Sequence, residues 1–153
     1  NQKAAAKQYW EKQILNASPA ERIVLCYDGA IRFLLAARRA IEERNIQERY
    51  NNNKRASDII AYLMDTLDME QGGEIAQNLQ TLYMYMLRRL MDVDMKDSTE
   101  AIDDVVTKLK ELRSSWEKLA KGNGQSPQAQ GYPSQEGNDD EEKTSRPKIT
   151  ATA

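Results

Sequence analysis

Residues 18–44 read SPAERIVLCYDGAIRFLLAARRAIEER, and this stretch decides the fold. Ser18 can cap free helical N–H groups, Pro19 suits the first helical position, and Glu21 complements the positive end of the helix dipole. From there Ile23, Tyr27, Ala30, Leu34, Ala37 and Ile41 recur at three- and four-residue spacing, with Val24, Ile31 and Leu35 widening the stripe. The period predicts a helix ending near Arg44, with a broad apolar face that must be buried against other helices.

Three further segments supply those partners. Ile46, Tyr50, Ala56, Ile59, Ile60, Leu63 and Leu67 predict a second helix, weak in its first half because Asn51, Asn52 and Asn53 are poor helix formers. Gly72-Gly73 interrupts the pattern where a cap or tight turn needs positive φ. A third helix is expected over roughly Glu74 to Val93 on Ile75, Leu79, Leu82, Met86 and Leu90. A fourth follows the cap Ser98-Thr99-Glu100, on Ile102, Val105, Leu109, Leu112, Trp116 and Leu119. Short connections favour antiparallel neighbours. Before Ser18, residues 1–17 form a short, loosely helical segment carrying Tyr9, Trp10, Ile14 and Leu15. Residues 122–153 are rich in Gly, Gln, Ser, Asn, Pro and acids, with Tyr132 and Ile149 the only sizeable apolar groups; the expectation is a disordered tail. The fold expected is all-α: an antiparallel four-helix bundle (18–121) with an N-terminal helical segment (1–17) and a disordered polar tail (122–153).

Composition narrows the chemistry. The chain has no histidine and one cysteine, Cys26, which excludes Cys/His zinc sites, Glu-x-x-His di-iron sites and histidine-assisted nucleophiles. Cys26 reads as a small buried hydrophobe in a reducing compartment. Asp65, Asp68, Glu70 and Glu74 cluster at the Gly-Gly turn, but an EF-hand register begun at Asp68 puts Gly72 and Leu79 where ligands belong. No cofactor or metal is expected, and no enzyme. A net charge of −2, with most basic groups beside acids, argues against nucleic acid as the partner. No apolar run approaches a membrane span, and Asn1 to Tyr9 contains no signal-peptide core. What remains is apolar surface in excess of one helix face: Tyr27, Tyr83, Met84, Tyr85, Met86 and Leu87. Tyr and Met suit adaptable binding grooves, with ordinary core packing the alternative for each.

At these residues the chain resembles the flagellar secretion chaperone family, FliS. Ala17-Ser18-Pro19 followed by Leu25-Cys26-Tyr27-Asp28-Gly29-Ala30 resembles the family's ASP…LYDGA opening. Leu67 to Leu79 resembles LDxExGGEIAxNL, Leu82 to Leu90 resembles LYxYMxRRL, and Leu112-Arg113-Ser114-Ser115-Trp116 resembles a closing LRxxW. The resemblance runs from Tyr9 to about Leu119. It departs at Asn16, where threonine is common, at Cys26, where Met or Leu is common, and at Met84, where Asp or Glu is usual.

The resemblance implies a cytoplasmic antiparallel bundle that binds the disordered C-terminal segment of flagellin. It keeps flagellin from polymerising early and helps deliver it to the flagellar type III export apparatus. On that reading Ile14 and Leu15 belong to a flap over the empty groove. Tyr27, Leu63, Leu67, Ile75, Leu79 and Tyr83 line apolar pockets, and Tyr9 contacts a component of the export gate. Leu63 and Leu79 carry the alternative, a purely structural role, most strongly. A rival expectation is a general helical adaptor for some other amphipathic segment.

Overall fold

A computed structural model describes residues 1–122 as five helices: α1 (Gln2–Asn16), α2 (Pro19–Glu42), α3 (Ile46–Asp65), α4 (Gly73–Lys96) and α5 (Thr99–Gly122). Helices α2 to α5 form a closed ring in which α2 neighbours α3, α3 neighbours α4, α4 neighbours α5, and α5 returns to α2. This is the antiparallel four-helix bundle expected. The N-terminal segment is one continuous helix, α1, with no buried residue. The expectation of a disordered tail falls, apart from Gly122 at the end of α5, on residues 123–153, outside the described residues.

Each boundary has a local cause. Ser18 accepts from the Glu21 N–H while Glu21 accepts from the Ser18 N–H, a reciprocal capping box. Asn45 caps α3 through the Glu48 N–H, and Ser98 caps α5 through the Ala101 N–H. Between α3 and α4 the Asp68 carboxylate accepts from the N–H groups of Glu70 and Gln71, and Gly73 takes a φ of 56°. The acid of the Gly-Gly cluster is therefore a turn-former. Helix α2 ends before a left-handed Arg44 and α4 before a left-handed Asp97, two positions where the sequence lacks the glycine usual there.

The weak first half expected of α3 is instead ordered by tertiary bonds. Asn53 is buried and donates to the Leu90 carbonyl (3.0 Å) and to Asp94 (3.2 Å). Arg49, one turn earlier, pairs with Asp94 (3.4 Å) and Asp97 (2.7 Å). These contacts hold α3 to α4 and outweigh a propensity penalty of only a few tenths of a kcal/mol per residue.

The core contains Leu34, Ile60, Met86, Leu90, Ile102 and Leu109, all essentially closed to solvent. Each contributes about 1.5–3 kcal/mol relative to exposure. Close approach of α2 to α3 depends on small residues. Ala30, Ala37 and Ala56 are fully buried, and a Cβ on Gly29 would meet the Ile59 side chain at 3.3 Å.

Candidate functional site: two recesses around α2

The sequence blocks singled out above meet one another in space. Tyr27 of α2 and Tyr83 of α4 join hydroxyls across the bundle, both fully buried. The Trp116 indole of α5 is buried beside them in the same core. Burial, and then the adjacent Tyr83, push the Tyr27 hydroxyl well above the ordinary tyrosine range, so this pair is a neutral structural contact. One residue on, Asp28 pairs with Arg113 of α5, which also reaches Glu117 at 3.4 Å. Asp28 chiefly holds the Arg113 guanidinium above its usual range.

Above the buried tyrosines lies a recess of about 250 Å³ between the first half of α2 and the ends of α3 and α5. Ile23, Cys26, Leu63, Leu67, Tyr83 and Trp116 give it an apolar body; Arg22, Thr66, Asp68 and the half-exposed ring of Tyr62 make its mouth polar. Thr66 turns its hydroxyl back to the Leu63 carbonyl (2.8 Å). Burial raises the Cys26 thiol above its ordinary range, keeping it protonated and inert.

A second, larger recess of about 460 Å³ runs where α1 lies over α2 and α5. Gln13, Asn16 and Ala17 form its α1 side, Val24, Leu25 and Asp28 its α2 side, and Arg113, Glu117 and Ala120 its α5 side. Helix α1 is tethered lightly. Trp10 is half-buried under the Arg32 guanidinium, 5.6 Å from its ring centroid, and Ile14 is half-buried. A cation–π contact of this kind is worth about 0.5–1 kcal/mol at an exposed site.

On the α4–α5 seam Asp104 gathers three donors. Lys108 is the strongest influence, followed by the Tyr85 hydroxyl; Arg89 adds a bond at 3.3 Å, and together they lower the carboxyl to about 2. The cluster closes that end of the seam.

The nine residues expected at the site divide clearly. Leu63, Leu67 and Tyr83 line the smaller recess, with Tyr27 bonded beneath it. Leu79 is buried and Ile75 half-buried against the core, and neither lines a recess described here. Tyr9 (70%) and Leu15 (78%) are exposed, and Ile14 is half-buried. Sequence reasoning missed Ile23, Cys26, Thr66 and Trp116 as lining residues. The three-residue step from Ile23 to Cys26 was a readable signal, since it puts both on one face of α2. Asp28 and Arg113, 85 residues apart, carried no such signal.

The architecture is that of a helical bundle with two surface recesses, the smaller with an apolar body and a polar mouth, and a lightly attached N-terminal helix. Among the described residues no three His, Cys, Asp or Glu side chains form a metal-binding group, and no helix is long and apolar enough to cross a membrane. Comparison with known proteins gives the family. The family described as Flagellar protein FliS matches residues 1–123. The Flagellar secretion chaperone FliSB of Pseudomonas aeruginosa is 37% identical over 120 residues, covering 76% of this chain and 95% of that protein. The Flagellar secretion chaperone FliS of Salmonella typhimurium is 34% identical over 119 residues, 77% of this chain and 88% of that protein. That of Vibrio cholerae is 32% identical over 109 residues, 71% and 80% respectively. The chain belongs to the FliS family of flagellar secretion chaperones, a family that is not an enzyme class, and this membership supports a chaperone role in flagellar export.

Proposed function

We propose that this bundle binds the C-terminal segment of newly made flagellin in the cytoplasm, prevents its premature polymerisation and assists its delivery to the flagellar type III export apparatus. The observation that carries this reading is the attachment of α1. Its last turn borders a recess of about 460 Å³ and the helix buries no residue of its own, so an incoming segment displaces it at small cost. Residues 1–17 act as the flap and 18–121 as the chaperone domain. The client lays apolar anchors into the α2–α5 groove and the smaller recess beside Leu63, Leu67 and Tyr83, covering the surfaces through which flagellin packs in the filament. Ordering the client costs several kcal/mol, which calls for a long wrapped interface and leaves the complex releasable. Tyr9, exposed on α1, is the contact offered to a component of the export gate.

Seeded filament growth tests the reading. Equimolar protein should suppress elongation by intact flagellin. Unchanged elongation with a folded bundle present would contradict it.

A further inference from the structure

The outer face shared by α2 and α3 carries a basic cluster that lines neither recess. The Arg32 guanidinium of α2 and the Arg55 guanidinium of α3 both lie over the half-buried Phe33 ring, each 5.6 Å from its centroid. Arg32 is equally close to the Trp10 ring of α1, at 5.6 Å. A guanidinium with its face on an aromatic ring keeps its N–H edge for a carboxylate, and its orientation is already set. Arg39, two turns after Arg32, extends the same exposed side of α2.

The cluster holds charge in excess. Residues 29–41 of α2 and 49–57 of α3 contain six cations and no acid. Three of the six are neutralised: Arg38 by Glu42 and Asp103 on the α5 side, Arg49 by Asp94 and Asp97 on the α4 side, and Lys54 by Asp58. Asp28, one turn before Arg32, is committed to Arg113. At the margins Glu43 is followed by Arg44, Glu11 of α1 has Lys7 one turn before it, and Glu48, two turns from Arg55, accepts from Asn52. Arg32, Arg39 and Arg55 have no ion-pair partner among the described residues.

Arginines clustered in this way recognise an acidic segment, and the chain carries one. Asp139-Asp140-Glu141-Glu142 is its single run of four acids. Helix α5 ends at Gly122 beside the start of α2, where Lys121 and Glu21 border one recess. Arg32 lies about 16 Å further along α2. Residues 123–138 link Gly122 to the acidic run and are rich in Gly, Gln and Ser. A coil of that length and composition spans about 20–25 Å, which matches the gap. Tethering at matched length gives an effective concentration in the millimolar range, enough for ion pairs that are individually weak. A second copy or another protein would bring an acidic segment without that advantage. We infer that Arg32 and Arg55 hold the chain's own acidic run, Asp139 to Glu142, folding the C-terminal tail back across α2 and α3 beside Trp10.

The test is paramagnetic relaxation enhancement on the full chain, with a nitroxide attached at Ser145→Cys and Cys26→Ala leaving one thiol. At low salt the backbone amide signals of residues 29–36 and 52–59 should lose about half their intensity or more, while those of the opposite α4–α5 seam are spared. The signals should recover by about 0.5 M salt. Arg32→Gln with Arg55→Gln should restore them at low salt while the thermal midpoint is kept. Neutralising the run (Asp139→Asn, Asp140→Asn, Glu141→Gln and Glu142→Gln) should do the same. In the chain without a label, the Arg32 and Arg55 Nε–H signals should shift when the run is neutralised, a readout independent of Cys26→Ala. Unselective broadening, broadening that survives either set of substitutions, or unshifted Nε–H signals would overturn the proposal. So would equal broadening when nitroxide-bearing chains are mixed with isotope-labelled chains that lack the nitroxide, since a second copy's tail would then occupy the surface.

Discussion

The Tyr27–Tyr83 contact permits a sharp test of what belongs to the core and what belongs to the client. The Tyr27 and Tyr83 hydroxyls share one hydrogen bond between buried rings. A neutral buried hydrogen bond contributes about 0.5–1.5 kcal/mol net, and more when its partner is left behind. Tyr27→Phe and Tyr83→Phe should therefore each cost about 1–3 kcal/mol. For a chain of this length that lowers the thermal midpoint by about 4 °C per kcal/mol. The double variant should be more stable than the sum of the single losses implies, by about 1 kcal/mol, because each single change already breaks the shared bond. Thermal and denaturant unfolding followed by circular dichroism supply the cycle. Neither change alters the shape of the recess above, so client affinity should move by less than about threefold in both folded variants. Additive losses would refute the shared bond. A large loss of client binding without loss of stability would show that Tyr27 faces the client.

Two further outcomes follow from the same geometry. Leu63→Ala, at a position 1% exposed, should cost about 2–5 kcal/mol, whereas Leu67→Ala at the half-buried lip should cost less than about 1.5 kcal/mol and weaken the client at least about tenfold; denaturant titration and calorimetry separate the two effects. Asp104 is held at about 2, below its ordinary 3.8, so its contribution is present above about pH 4 and is lost as pH falls through 2. The stability gap between the protein and Asp104→Asn, no more than about 1 kcal/mol in so solvent-facing a cluster, should close over that window in acid unfolding curves.

The helices were legible because periodicity and caps are local. Ser18 and Glu21 announce the start of α2, and Ser98 that of α5. The difficulties lay in features set by tertiary contact. Asn51 to Asn53 read as a weak run because propensity is a local quantity, yet Asn53 makes its decisive bonds to Leu90 and Asp94 on another helix. Arg44 and Asp97 end their helices in left-handed conformations that their side chains do not announce; Asp97 gains an ion pair with Arg49 there. At the site, Tyr27 and Tyr83 stood out by size and position, but an apolar period does not distinguish a pocket floor from a pocket wall. Both proved closed to solvent, with Leu63 and Leu79, while Leu67 is half-buried at the lip. The smaller recess also needed Thr66 and Trp116, brought together from α3 and α5 by the ring closure itself.

The central claim is that apolar grooves of this bundle order the C-terminal segment of flagellin, and calorimetric titration of the full chain with that segment at several temperatures tests it most directly. The account predicts one-to-one binding with a heat-capacity change on the order of −0.3 kcal/mol/K, the mark of a coupled folding event burying about 2,000 Å². Absence of binding by the folded bundle, or binding without a negative heat-capacity change, would contradict it.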